Sequence, residues 1–217
     1  MRAIHRVVRG APLARAALCA ALAAGCAPSA PVLRGTVVPA QLPGTQLPPV
    51  HRKIVFRWSY AEPDLRIRGD GAARVAPPDS VRLDFFVSNE STGWAELIDG
   101  ELRLPSKAGV ARKVLPPVPL LWAALGRLQV PPAADTAARV DGDTLRVDIG
   151  HDPRWRATFV RDQLVRLELI DGGRVPQWLA RTSDGPIHYQ HETARRTLDL
   201  FIVRVDTVPA FDASIWQ

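Results

Sequence analysis

The sequence predicts an all-β fold with a minor helical part: an unclosed antiparallel β-barrel or half-barrel of about ten or eleven strands under a short helical lid. Three features of the 217-residue chain point there. Apolar and polar residues alternate with period two through most of the chain after His51, the pattern of a sheet wet on one side and apolar on the other. Turn signals such as Asp99-Gly100, Asp141-Gly142 and Asp171-Gly172-Gly173 separate the alternating runs. The apolar face of one long run opens with Gly69, Gly71 and Ala73, and small inward residues let a sheet curl.

Residues 1–25 read as a signal peptide. Met1 to Arg15 is basic, and Ala16 to Ala24 is apolar but too short for a bilayer, which needs roughly twenty residues. The run ends in Leu22-Ala23-Ala24-Gly25-Cys26, which resembles a bacterial lipobox with Ala23 where leucine is usual. That resemblance makes Cys26 a lipid anchor, diacylated and bearing chains such as palmitate. The alternative is an ordinary signal peptide cut near Ala24, with Cys26 a free thiol. Ala27, rather than aspartate, follows the cysteine, which by the same resemblance permits sorting to the outer membrane. Residues 26–50 carry Pro28, Pro31, Pro39, Pro43, Pro48 and Pro49 and read as a lipidated extended tether. Residues 51–217 form the domain.

Ile54, Phe56, Trp58 and Tyr60 alternate along the first strand, and Leu65 to Val75 forms the second. Pro77-Pro78-Asp79 bends the chain into Val81, Leu83, Phe85 and Val87, with Arg82, Asp84 and Ser88 opposite. Trp94 to Ile98 and Glu101 to Leu104 make a hairpin through Asp99-Gly100. Leu120 to Leu125, between Pro119 and Gly126, carries the start and stop signals of a short helix. Leu121 and Leu125 share one face of it with Trp122 beside them, fitting either a lid over the concave sheet or a core-packing helix. Strands resume at Leu145–Ile149, Trp155–Phe159, Val165–Leu169, Val175–Leu179, Ile187–His191 and Arg196–Asp206. The last, with Leu198, Leu200 and Ile202 opposite Phe201, Val203 and Val205, reads as buried on both faces.

The formal charge of +6 is largely a property of the leader. Without Arg2, Arg6, Arg9 and Arg15 the remainder holds 24 basic and 22 acidic side chains, interspersed along the strands. A nucleic-acid partner needs clustered basic residues and is not expected. The two cysteines, Cys19 and Cys26, both lie near the start, so a disulfide or cysteine metal site in the domain is excluded. No G-x-S-x-G elbow, phosphate-binding glycine loop or H-E-x-x-H motif is present. His188 and His191, three apart on a strand, point to opposite faces. No catalytic residue, metal or cofactor is expected. The six tryptophans suit a ligand cavity, a lipid-facing surface or simple core filling.

The run from Gly69 to Asp84, GDGAARVAPPDSVRLD, resembles the G-x-G … P-D … R strand pair of the LolA/LolB-like outer-membrane lipoprotein carriers. The hairpin at Asp99-Gly100 and the closing Phe211-Asp-Ala-Ser-Ile-Trp216 are similar to that superfamily as well. The resemblance spans roughly Ile54 to Trp216. It implies an unclosed barrel with a helical lid over an apolar cavity that accepts acyl chains of a lipid or lipoprotein. A proline-rich tether stands where the carriers have an amphipathic N-terminal helix. The residues expected at the cavity and lid are Leu83, Phe85, Trp94, Leu121, Trp122, Leu125, Trp155 and Phe159. The implied protein is non-catalytic, anchored through Cys26 in the cell envelope, at the outer membrane facing the periplasm. The alternative is a structural or sensing module that binds an envelope protein partner and has a filled cavity.

Overall fold

The computed structural model describes residues 27–106, 109–182 and 185–216. Residues 1–25, read from sequence as a signal peptide, and Cys26 lie outside them. Among the described residues, thirteen strands form one antiparallel sheet and two α-helices lie on its concave side. The strands are β1 (Thr36–Val38), β2 (Arg52–Glu62), β3 (Leu65–Ala76), β4 (Ser80–Val87), β5 (Glu90–Ile98), β6 (Glu101–Arg103), β7 (Thr136–Asp141), β8 (Thr144–Ile149), β9 (Arg154–Val160), β10 (Gln163–Asp171), β11 (Arg174–Ala180), β12 (Ile187–His191) and β13 (Arg196–Thr207). Helix α1 (Gly109–Val114) and helix α2 (Val118–Ala124) fall between β6 and β7, and a 3-10 turn (Ala213–Trp216) ends the chain.

Two meanders, β2 to β6 and β7 to β13, are joined where the last strand pairs with β2. The strands β1 and β6 are the two edges, so the sheet curls without closing. The sequence reason for the curl is local. Opposite Gly71 and Gly69 of β3 stand Phe56 and Trp58 of β2, whose rings occupy the space that a Cβ on either glycine would need. Trp58 donates its indole N–H to the Asp70 carbonyl at 2.9 Å, and Phe85 meets both rings edge-on.

Helix α2 follows from its flanks. Pro117 caps its start and offers its carbonyl to the Leu120 and Leu121 N–H groups. At its end Gly126 takes φ +86°, and the N–H groups of Gly126 and Arg127 return to the carbonyls of Ala123 and Trp122. That pair of bonds is the Schellman closure, for which a left-handed glycine is the favoured residue. Leu120, Leu121, Trp122, Ala123 and Ala124 are all buried, as expected of a helix apolar all round.

Two expectations are corrected, and two elements are added. Residues 27–50 do not hang free as a tether. Thr36–Val38 pairs with β7, Ala30 and Val175 N–H groups bond Gly173 and Pro28 carbonyls, and Leu47 is in the core. Proline removes donors but leaves carbonyls and apolar surface, and here both are used. Strand β7 and helix α1 were not foreseen, because Ala137, Ala138 and the Gly109–Val114 run carry weak propensity signals. Strand β13 is not buried on both faces, since β12 stops opposite Leu200 and leaves β2 as its only later neighbour. A register shift between Ile202 and Arg204 also turns Val205 to the same face as Ile202.

Candidate functional site: an apolar cavity under the second helix

Where the meanders meet, the core leaves a cavity of about 190 Å³. Ile54 and Phe56 of β2, Ala73 of β3, Leu83 and Phe85 of β4 and Leu97 of β5 form one wall. Leu179 of β11, Ile187 and Tyr189 of β12, and Leu198, Leu200, Ile202 and Val205 of β13 form the other. Leu121 and Ala124 of α2 cover it, with Leu115 and Pro116 before the helix and Leu125 after it. Period-two alternation brings these strand residues to one face, and the helix supplies the roof. Ile202 and Val205, 46% and 51% exposed, lie where the cavity reaches solvent beside the free stretch of β13.

Polar groups ring this space sparsely. Among the described lining residues the charged ones are Arg52 and Arg181. The Nε of Arg181 is buried with no hydrogen-bond partner among the described residues, and burial pulls its pKa below the ordinary guanidinium value. Its guanidinium lies against Gly126, in the place a Cβ there would take. The Tyr189 hydroxyl donates to Gln177 Oε1 at 2.9 Å, and burial pushes its pKa up to about 12. Beside it, burial lowers the pKa of His191, with the Arg196 charge a smaller cause. At the far end of β2, Glu62 receives the Tyr60 hydroxyl and pairs with Lys113 of α1 and with Arg196.

Of the residues expected at the cavity, Leu83, Phe85, Leu121 and Leu125 line it. Trp122 is fully buried but turned away from it. Its indole N–H has no partner among the described residues, and the Arg127 guanidinium stacks 4.7 Å from its ring. Trp94 is corrected to the outer face. Gly93 and Ala95 stand opposite Phe85 and Leu83, so Trp94 falls opposite Asp84, with Arg82 over its ring at 4.8 Å. Trp155 and Phe159 belong to the concave core at β9 rather than to the cavity lining. Ile54 and Phe56 were visible in the alternation of the first strand but were not singled out. Nothing in the pattern around Arg181 marked it.

The outer face carries the charges. Arg82 bridges Asp84 and Glu96 and donates to the Ile215 carbonyl at 2.8 Å, tying the 3-10 turn to β4 and β5. His188 meets Asp199 there at 2.6 Å, on the face opposite to His191. Among the described residues no group of His, Cys, Asp and Glu is arranged to hold a metal ion, and no helix is long and apolar enough to cross a membrane.

In structure the chain is similar to a LolA superfamily protein from Nitrosomonas europaea. The two superpose with a TM-score of 0.52 at 9% identity, covering 80% of this chain and 92% of that one. The fold is LolA-like. A DUF1329 family protein from Desulfovibrio piger matches with a TM-score of 0.44 at 10% identity, over 80% of this chain and 90% of that one. An outer membrane lipoprotein-sorting protein domain described as putative, from Vibrio parahaemolyticus, matches at 0.42 and 5% identity, over 78% and 90%. No family profile and no curated protein matches the sequence. In this LolA-like fold the helical cover of the cavity is α2.

Proposed function

We propose that this protein is a non-catalytic envelope lipoprotein that holds an acyl chain of a lipid or lipoprotein in the cavity beneath α2. The observation that carries the reading is the void itself. Close-packed interiors leave few spaces larger than a water molecule, whereas this one is apolar, about 190 Å³, and reaches solvent past Ile202 and Val205. Its size is below the roughly 300–1,000 Å³ of drug-sized pockets, which fits part of one chain in a closed state. Burial of methylenes at about 0.8 kcal/mol each supplies the driving force. Movement of α2, whose hold on the sheet is apolar contact, enlarges the space. The lipobox supplies the anchor: Cys26→Ser is expected to release the protein from membranes or leave it unprocessed in fractionation.

A fluorescent acyl probe tests the reading. Ala124 lines the cavity from the helix, so Ala124→Leu fills the void and is expected to abolish probe binding while leaving the melting temperature equal or higher. Leu121→Ala enlarges it and is expected to raise probe affinity. A second reading, a partner-binding module, is favoured by how much of the concave side is already filled by Trp58, Leu120, Trp122 and Phe159. No probe binding by either the natural chain or Leu121→Ala would select it.

A further inference from the structure

We propose that the cavity's ligand is an anionic amphiphile whose carboxylate or phosphate head is held by Arg181, with Arg52 as the second cation. This rests on the acyl-chain reading and adds the chemistry of the ligand's other end. The first ground is a contrast within the molecule. Arg74, Arg82, Arg156, Arg166 and Arg196 each meet a carboxylate. Arg181 and Arg52 have no side-chain hydrogen bond or ion pair among the described residues, and no acidic residue lines the space they share.

The second ground is desolvation. The Nε of Arg181 is removed from water without an acceptor among the described residues, and burial is the cause of its lowered pKa. A partly buried cation whose Nε is cut off from water gains more from a ligand that brings a counter-charge than one at a wet surface does. Guanidinium donors form a fork that matches the oxygens of a carboxylate or phosphate. The third ground is the route in. Ile202 and Val205 give an apolar passage half open to solvent, and the walls beyond them are apolar. A single chain with a charged head satisfies both parts of the site, whereas a neutral apolar molecule leaves Arg181 as it stands.

The test compares cis-parinaric acid with its methyl ester in fluorescence titrations of the full chain. The acid is expected to bind about tenfold tighter or more, the size of a hydrogen bond to a charged group. Arg181→Gln is expected to bring the acid down to the ester's affinity, Arg181→Lys to keep part of the preference, and Arg52→Gln to reduce it. Competition by lysophosphatidic acid against oleic acid then tells a phosphate head from a carboxylate, either of which supports the proposal. Equal binding of acid and ester by the natural chain overturns it while leaving the acyl-chain reading intact. So does an acid preference that survives both Arg181→Gln and Arg52→Gln. Should Arg181→Gln fail to fold, the natural chain's acid-to-ester comparison decides. If neither probe binds, the acyl-chain reading itself falls, and this proposal with it.

Discussion

Leu83 and Asp84 are neighbours on β4 with opposite surroundings, and their contrast carries the register of the whole N-terminal meander. Leu83 faces the cavity, while Asp84 receives Arg74 and Arg82 on the outer face. Leu83→Asp is expected to cost several kcal/mol, because the carboxylate enters an apolar space without a partner. Asp84→Leu is expected to cost less, on the order of 1–2 kcal/mol, since the arginines it strips, Arg74 and Arg82, keep partial contact with water and Arg82 keeps Glu96. Denaturant titration of both variants checks the order, and equal losses would mean the register is misassigned. Glu62 gives a pH signature. Its hydrogen bond from Lys113 is the largest cause of a pKa below the usual carboxylate value, followed on the lowering side by Tyr60 and the charges of Lys113 and Arg196. A carboxylate depressed in the folded state contributes stability above its unfolded pKa of about 4.3 and loses it as pH falls through the folded value. Protection factors in α1, taken against the intrinsic exchange rate at each pH, are therefore expected to fall on acidification, and Glu62→Gln to give that lower protection already at neutral pH. Alternation made Leu83, Phe85 and Asp84 legible from sequence. Trp94 was misplaced because large size was read as inwardness, although the strand's own alternation puts it with Asp84.

At the scale of elements, α2 was legible because Pro117, Pro119 and Gly126 punctuate it. Its burial on all sides was not, since a six-residue apolar run gives no polar face from which to judge depth. So short a helix has almost no stability of its own, and tertiary contacts hold it. Gly126 closes it at φ +86° and leaves room for Arg181. Gly126→Ala is expected to cost about 1–2 kcal/mol from the left-handed backbone alone, with displacement of the guanidinium added. For a domain of this size that is roughly 2–4 °C of melting temperature per kcal/mol. A scan showing no change would mean the helix ends elsewhere. The edge strand β1 was hidden by the prolines around it, and the exposure of the late half of β13 escaped the sequence reading for a different reason. Period-two patterns report which residues share a face, not how far a neighbouring strand extends, and the stop of β12 at Ile187 is what leaves Ile202 and Val205 open.

Across the whole molecule, the chain's end meets its beginning. Strand β13 pairs along β2 from Thr197 opposite Ala61 to Thr207 opposite Arg52, which sets the two meanders side by side and places the cavity at their seam. The proline-rich residues 27–50 run against the sheet rather than away from it, and Ala27 is itself buried. The half-barrel class was readable from alternation and turns, whereas the cavity was not, because emptiness depends on how side chains from seven strands and a helix fail to meet. Native mass spectrometry of the full chain extracted from membranes is the most direct measurement of the central claim. A co-purifying molecule bearing an acyl chain is expected on the natural protein, beyond any lipid covalently attached, and lost in Ala124→Leu. Identical spectra for the two proteins, with no such adduct on either, would contradict it.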